Sequence, residues 1–502
     1  MKDRQIVNPQ EMKQLDKLTI QETNITSYDL LYQAGTALFN HIFGENYQIS
    51  NESILVIAGI GKNGGDALVI SKHLFDRGID FKIIVVGEDK NQADETSVIL
   101  EKILKNGIKV VRVDDYGSVN DARDLIDNTS LIIDGIFGIG LNRKVAGYHK
   151  EIIELINGSY AKKISIDIPS GINANNGVVE GVAVLADETI VIQNYKQGNL
   201  LNDARDYCGE VTLLDVGILQ MLFMEPQLIL SKAYLKNKIP KRKHNSYKYN
   251  YGNILTIGGS KGMMGAPLMS AYTSLRTGTG LSHVSYNEKY AKYINNVYPE
   301  IMVDTFSGIE DIPSQTQNKT AIIFGPGLGK NDELNLEILT YLLSIDTPLI
   351  IDADGIYYLG QVIQDYSDRK NIIITPHNKE MATFLDVDIE EVIKEPVLLS
   401  KNIAHKYNLT VVLKGTCTII TNNDETYFST HGNPGLATAG TGDILTGIIG
   451  SLLGRGFSPI ESSKIGVLIH SIAADLASKE YGEESLIASD ICKYIPKVLK
   501  NI

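Results

Sequence analysis

The chain has 502 residues, 43% of them apolar, and a net charge of −13. A single core rarely grows that large, so at least two domains are expected. The acidic balance argues against nucleic acid or an anionic membrane as partner, although glycine loops and helix N-termini bind small phosphates without net positive charge.

At the N-terminus, Met1-Lys2-Asp3-Arg4 leads into no apolar core of signal-peptide length, and no run of 18 apolar residues occurs anywhere. A cytoplasmic protein with no membrane partner is expected. Residues 54–58, 81–86, 131–133 and 164–168 are short apolar runs that read as buried parallel strands. Amphipathic stretches such as residues 67–74 alternate with them, which predicts an α/β layered domain ending near residues 211–217. A basic, proline-marked stretch at residues 236–244 follows, and residues 219–245 read as the linker. A second series of strands is predicted at residues 254–257, 321–324, 349–351, 371–375 and 410–413. The cysteines, Cys208, Cys417 and Cys492, are odd in number and far apart, which excludes a zinc ribbon and argues against a disulfide framework.

The first strand runs into Gly59-Ile60-Gly61-Lys62-Asn63-Gly64-Gly65-Asp66, in which the glycines at 59, 61 and 64 satisfy G-x-G-x-x-G. Glu88, at the end of the next strand, stands about where a ribose-binding acid would sit. A Rossmann dehydrogenase is therefore the first reading. Two features strain it. Gly64-Gly65-Asp66 makes the turn unusually open, and Asp66 is placed to cap a helix starting at Ala67, occupying amides a pyrophosphate would use. Further on, Asp134 and Asp167 follow strands, in the loops Asp134-Gly135-Ile136-Phe137-Gly138-Ile139-Gly140-Leu141-Asn142-Arg143 and Asp167-Ile168-Pro169-Ser170-Gly171. Carboxylates at the C-terminal ends of parallel strands point into the crevice where ligands bind. Asn63, Asp134 and Ser170 offer only oxygen, which suits potassium or magnesium and not a transition metal.

In the second half, Gly258-Gly259-Ser260, Gly325-Pro326-Gly327-Leu328-Gly329, Thr375-Pro376-His377 with Glu380, and Lys414-Gly415-Thr416 each follow a strand. Of nine histidines, His377 alone sits in a strand-end loop beside a proline; the other eight read as surface or satisfied core residues. The richest stretch spans residues 432–447 and contains Gly440-Thr441-Gly442-Asp443. Its glycines let backbone amides converge as an anion nest, and a helix beginning near Ile444 adds its positive end. Asp443, beside that nest, can accept a proton from a substrate hydroxyl. No Walker sequence occurs, so a P-loop protein is excluded.

Together these motifs resemble those of the bifunctional NAD(P)H-hydrate repair enzymes, an epimerase fused to an ADP-dependent dehydratase. The resemblance runs through Gln33-Ala34-Gly35 and the loops at 63–66, 137–143 and 167–171 in the first half. In the second half it runs through Leu275-Arg276-Thr277-Gly278, the Gly325 loop, Asp352-Ala353-Asp354-Gly355, Thr375-Pro376-His377 and residues 432–447. It implies an N-terminal Rossmann-like three-layer α/β domain over residues 1–218 and a ribokinase-like three-layer α/β domain over residues 226–502.

The implied chemistry is repair of reduced nicotinamide cofactors whose rings have taken up water. The first domain would interconvert the R and S hydrates (NADHX and NADPHX). The second would phosphorylate the S form from ADP and eliminate phosphate, giving NAD(P)H, AMP and phosphate. Carried over to this chain, the resemblance assigns potassium to Asn63, Asp134 and Ser170. It assigns the epimerase's hydrate to Lys62, Asn63, Gly64, Gly65, Asp66, Gly138, Ile139, Gly140, Leu141, Asn142, Arg143, Lys144 and Asp167, with Asp167 the acid–base. It assigns the dehydratase's hydrate to Ala266, Gly327 or Gly329, His377 and Asp443, with Asp443 the base. ADP or ATP, with magnesium, falls to Lys414, Gly415, Thr416, Cys417, Thr418 and Gly442, and a homo-oligomer is expected.

Lys62 stands where the family usually has Asn, Ala67 where it has Gly and Ile139 where it has Thr; near residues 248–252 the family's Lys-Gly pair is missing. A working epimerase is still expected, because Asn63, Asp134, Asp167 and Ser170 are all present. The competing expectation is a ribokinase-type small-molecule kinase with an N-terminal nucleotide-binding domain.

Overall fold

The computed structural model describes residues 5–44, 53–88, 92–221, 223, 225–295, 297–330, 332–366 and 369–502. The chain forms two compact units, Arg4–Met224 and Glu225–Ile502. Residues 1–4, at which the N-terminus was read for a leader, lie outside the described residues. No helix among the described residues is long and apolar enough to cross a membrane.

The first unit is built on a seven-stranded parallel sheet. Its order is Val110–Val113, Phe81–Val86, Ile54–Gly59, Leu131–Gly135, Lys162–Ile166, Glu188–Ile192, Glu210–Leu214. The chain enters at Ile54–Gly59, winds outward to Val110–Val113, then returns to Leu131–Gly135 on the other side of the first strand. That reversal creates a crevice at the C-terminal ends of Ile54–Gly59 and Leu131–Gly135, where open α/β sheets bind ligands. Val56, Ala58 and Ile133 pack beneath the helices Ser27–Ile42 and Lys62–Asp76. Leu55, Ile57 and Ile132 pack on the other face against Val119–Asp127 and Tyr148–Gly158.

The helix after the first strand corrects two expectations. It starts at Lys62, not Ala67, with Gly61 as N-cap and no side-chain cap. Asp66 is therefore an interior helical residue and caps nothing, and Gly64 and Gly65 belong to the helix, not to an open turn. The reason is steric. A Cβ on Gly64 would lie 1.9 Å from the Gly59 carbonyl oxygen, and one on Gly65 would lie 2.8 Å from Leu31 and Thr96 side-chain atoms. Gly64 lets the helix press onto the strand that precedes it, and Gly65 lets the helices Ser27–Ile42 and Asp94–Lys105 close against it. Nor is the stretch 67–74 simply amphipathic: Ala67 to Ser71 are all buried, because Ser27–Ile42 covers the helix from outside.

In the second unit, Met302–Phe306, Leu281–Asn287, Asn253–Ile257, Ala321–Phe324, Leu349–Ile351, Ile372–Ile374 and Thr410–Leu413 pair in parallel in that order. Thr418–Thr421 and Thr426–Ser429 continue as an antiparallel pair, and Gln227–Ile229 pairs in parallel with the latter. Residues 227–229, expected in a linker, are thus a strand. The direction of winding again reverses, here between Asn253–Ile257 and Ala321–Phe324. Helices Thr441–Gly454 and Pro459–Tyr481 pack on one face of this sheet through Ile448, Leu452 and Leu468. The former also crosses Gly265–Thr277 so closely that a Cβ on Gly447 would lie 2.1 Å from the Thr273 hydroxyl.

Candidate active sites

In the first unit a cavity of about 910 Å³ opens at the strand ends. Of the residues expected there, Lys62, Asn63, Asp66, Gly138, Ile139, Gly140, Leu141, Asn142, Arg143 and Asp167 line it. Gly64 and Gly65 lie behind the wall, in the helix. Lys144 is turned away, with its side chain beside Gly181.

Asn63 and Ser170 meet at the Phe137 carbonyl, and Asp134 joins them through Ser170. Asn63 Nδ2 donates to that carbonyl at 2.9 Å and Ser170 Oγ lies 3.3 Å from it. Asp134 is fully buried and accepts from Ser170 Oγ (2.5 Å), the Ser170 amide (2.9 Å), Ser165 Oγ (2.8 Å) and the Ile136 amide (3.2 Å). Burial pushes its carboxyl up, and these hydrogen bonds pull it back. Among the described residues no basic side chain forms an ion pair with it. A buried carboxylate with no basic partner, beside the Ser165 and Ser170 hydroxyls, is chemistry that suits a hard monovalent cation.

Asp167 leaves the sheet one residue after the strand Lys162–Ile166, at φ +68°. The Ile168 amide donates to the Ile166 carbonyl across it (2.8 Å), a γ-turn that non-glycine residues adopt only under strain. The surroundings over-determine that conformation. Asp167 Oδ1 accepts from the Ile192 amide (2.9 Å) and pairs with Lys196 Nζ, while Asn199 Nδ2 donates to the Asp167 carbonyl (3.0 Å). Lys196 is 1% exposed, so the ion pair is buried. Asp66 and Asp16 face the same cavity, and burial pushes both carboxyls up, Asp66 well above the usual range.

In the second unit, Gly440 sits at φ +92° as the N-cap of Thr441–Gly454, and the helix starts three residues before Ile444. Thr441, Gly442 and Asp443 form its first turn. The Thr441 hydroxyl turns inward, donating to the Leu436 (2.9 Å) and Thr438 (3.0 Å) carbonyls. The first-turn amides carry the helix's partial positive charge and have no partner within the helix.

Lys414 Nζ reaches this turn: a Cβ on Gly442 would lie 3.4 Å from it. The same ammonium pairs with Asp352 Oδ1 at 3.0 Å and Glu380 Oε2 at 3.7 Å. Thr446 Oγ1, one helical turn beyond Asp443, donates to Asp352 Oδ2 at 2.7 Å. Asp352 is thereby held well ionised by Lys414 and Thr446 despite burial. Asp443 is pushed up to about 7, by burial first and by the Asp352 charge second, against the pull of Lys414.

His377 is brought to the same rim, since the Lys414 amide donates to the Pro376 carbonyl (2.8 Å). It caps the helix Asn378–Leu385, its Nδ1 accepting from the Glu380 amide at 3.2 Å. Ala266 and Gly327 are neighbours, 3.3 Å apart from the Gly327 Cβ position, and the Ser260 hydroxyl donates to the Gly327 carbonyl at 2.8 Å. The Gly329 amide donates to Asp354 Oδ2 at 2.9 Å. Gly415 and Thr416 form the exposed turn between Thr410–Leu413 and Thr418–Thr421, and Cys417 beneath it is buried.

Known proteins divide along the same line as the two sites. A family model described as "YjeF-related protein N-terminus" matches residues 27–198, and one described as "NAD(P)H-hydrate dehydratase" matches residues 254–497. A bifunctional NAD(P)H-hydrate repair enzyme of Thermofilum pendens is 32% identical over 469 residues, 89% of this chain and 87% of that protein. The chain belongs to the bifunctional NAD(P)H-hydrate repair enzymes. It carries two activities, an epimerase and a nucleotide-dependent NAD(P)H-hydrate dehydratase. The enzyme of this name from Coxiella burnetii is 30% identical over 98% of both chains. Among solved structures, a ribokinase-like superfamily protein of Enterococcus faecalis superposes with a TM-score of 0.50 at 30% identity, covering 56% of this chain and 99% of its own. The dehydratase unit accordingly has a ribokinase-like fold.

Several site residues escaped the sequence. Lys196 follows the unread strand Glu188–Ile192, so nothing marked it as the partner of Asp167. Met12, Lys13 and Asp16 come to the epimerase cavity on the helix Pro9–Thr23, which carries no glycine loop to announce it. Asp352 was visible at a strand end, but its link to Lys414 and Thr446 spans 62 and 94 residues. His470 is a core residue only half satisfied: it is 8% exposed and hydrogen-bonds the Thr441 backbone, but its Nε2 has no hydrogen-bond partner. Burial pushes its imidazole down to about 4, so it is neutral at physiological pH.

Proposed function

We propose that the epimerase site lies on residues 1–218 around Asp167 and the dehydratase site on residues 226–502 around Asp443. One observation carries the second assignment. A carboxyl held near 7 stands in the first turn of a glycine-capped helix, with a lysine ammonium beside it. A base is most effective when its pKa lies near the working pH.

In this reading the ring hydroxyl of the S hydrate gives its proton to Asp443 as the oxygen attacks the terminal phosphorus of ADP. The phosphorus–oxygen bond to AMP breaks, and the first-turn amides and Lys414 stabilise the charge on the moving phosphoryl group. The hydroxyl has become a phosphate ester, and phosphate leaves carbon far more readily than hydroxide. The ring nitrogen's lone pair expels it, loss of the proton from the adjacent carbon restores the double bond, and NADH or NADPH, AMP and phosphate result. Lys414, Gly415, Thr416, Cys417, Thr418 and Gly442 would hold the nucleotide. Ala266, Gly327 or Gly329 and His377 would hold the hydrate. Magnesium bound to the nucleotide's phosphates would neutralise part of their charge.

In the epimerase, Asp167 would act as the acid–base, oriented by Lys196 and Asn199. Asn63, Asp134 and Ser170 would hold potassium, which supplies a counter-charge to buried Asp134. The remaining cavity residues would seat the hydrate.

Asp443→Asn and Asp167→Asn divide the two activities. The first should abolish cofactor recovery from S hydrate while R-to-S exchange continues; the second should abolish exchange while recovery from S hydrate continues. Recovery by the Asp443→Asn protein within tenfold of wild type would remove the dehydratase assignment. An unchanged exchange rate in Asp167→Asn would remove the epimerase one.

A further inference from the structure

Glu88 is the one residue marked by the sequence for a ligand role that neither reaction uses. It lines the epimerase cavity, half-buried, two residues after the strand Phe81–Val86. Gly87 before it stands at φ +128°, and a Cβ there would lie 2.7 Å from Ile60. The turn therefore packs against the exit of Ile54–Gly59, beside the start of the helix Lys62–Asp76. In the sheet, Glu88 and Asp167 follow strands three places apart, with Ile54–Gly59 and Leu131–Gly135 between them. At roughly 4.8 Å per strand, about 14 Å separates the two strand ends that carry them. That is the scale on which an extended dinucleotide separates its nicotinamide ring from its adenosine ribose.

We propose that Glu88 accepts a hydrogen bond from the adenosine ribose 2′-hydroxyl and makes this epimerase selective for the hydrate of NADH over that of NADPH. The proposal rests on the assignment of Asp167 to the reacting ring. The dinucleotide would then lie across the strand ends, with its pyrophosphate at the uncapped helix start, where Gly61 offers no side-chain cap and Lys62 adds a positive charge. A carboxylate at the end of the second strand suits a ribose diol, whereas a 2′-phosphate would meet it as a like charge. Arg112, on the neighbouring strand, donates to the Gly87 carbonyl at 3.1 Å and does not line the cavity. Among the described residues the cations that line it are Lys13, Lys62, Arg143 and Lys196, and Lys196 is committed to Asp167.

The test measures kcat/KM for R-to-S exchange of both hydrates, and of the mononucleotide hydrate that lacks the adenosine half, by wild type and Glu88→Gln. Wild type should favour the NADH hydrate by about tenfold or more. Glu88→Gln should bring the ratio within about threefold, mainly by gaining on the NADPH hydrate. The mononucleotide hydrate, which cannot reach residue 88, reports any general damage from the substitution. Equal use of both dinucleotide hydrates by wild type, or a ratio unmoved by Glu88→Gln, would overturn the proposal. So would a loss with Glu88→Gln that is the same for the mononucleotide. Asp167→Asn is assayed alongside: full exchange there would mean that the placement of the reacting ring had failed, a different result from a failed ratio.

Discussion

The dehydratase should show a pH limb that the charges around Asp443 can move in either direction. Asp443 must be ionised to take a proton, and its carboxyl is pushed up to about 7. A base of that strength is about 10% ionised at pH 6 and about 90% at pH 8, so kcat/KM for S hydrate should rise roughly ninefold between them and then level. Lys414 pulls the carboxyl down and Glu380 pushes it up. Lys414→Met should therefore move the limb to higher pH, by about one unit, equivalent to ~1.4 kcal/mol between the two protonation states. Glu380→Gln should move it to lower pH by a smaller amount, since Glu380 is the least of the four influences. The assay is recovery of reduced-nicotinamide absorbance from pure S hydrate at saturating ADP between pH 5.5 and 9. Asp443→Asn should lose the limb altogether and about 10²- to 10⁴-fold in rate. A flat profile in wild type, or limbs that move in the same direction in Lys414→Met and Glu380→Gln, would refute Asp443 as the base.

Other consequences concern the epimerase. Lys196→Met leaves buried Asp167 without its counter-charge and should destabilise the first unit by about 3–5 kcal/mol; adding Asp167→Asn should recover part of the loss, read by chemical denaturation. Gly64→Ala places a methyl 1.9 Å from the Gly59 carbonyl oxygen and should cost about 1–3 kcal/mol by forcing helix and strand apart. Replacing potassium by choline should slow R-to-S exchange and lower the melting temperature of the first unit, because Asp134 loses its counter-charge, while recovery from S hydrate is spared. Retention of full exchange in choline would remove Asn63, Asp134 and Ser170 from the site.

The alternation of buried strands was legible because parallel strands covered on both faces are continuous apolar runs, as residues 54–58, 321–324 and 349–351 show. Strands with broken apolar patterns went unread: Val110–Val113 carries Arg112, Leu281–Asn287 alternates with His283 and Ser285, and Met302–Phe306 carries Asp304. Strand-end loops were legible as well, since glycine and aspartate mark places where backbone must turn beside a ligand. The helix start at Lys62 was not, because Gly64 and Gly65 read as a turn by propensity while their packing against Gly59, Leu31 and Thr96 is a tertiary demand. The charge network was equally hidden. Asp352, Glu380, Lys414 and Thr446 come from four separate elements, and only the fold makes them neighbours.

In the proposed mechanism the phosphoryl group handled at Gly440-Thr441-Gly442-Asp443 is a transient leaving group. The direct measurement supplies pure R and pure S hydrate with ADP and follows reduced cofactor, AMP and free phosphate together. From S hydrate all three should appear at once and in equal amounts; from R hydrate they should appear in equal amounts at the pace of epimerisation. A stable phosphorylated hydrate, with AMP released but neither free phosphate nor reduced cofactor, would make the second unit a kinase and contradict the account.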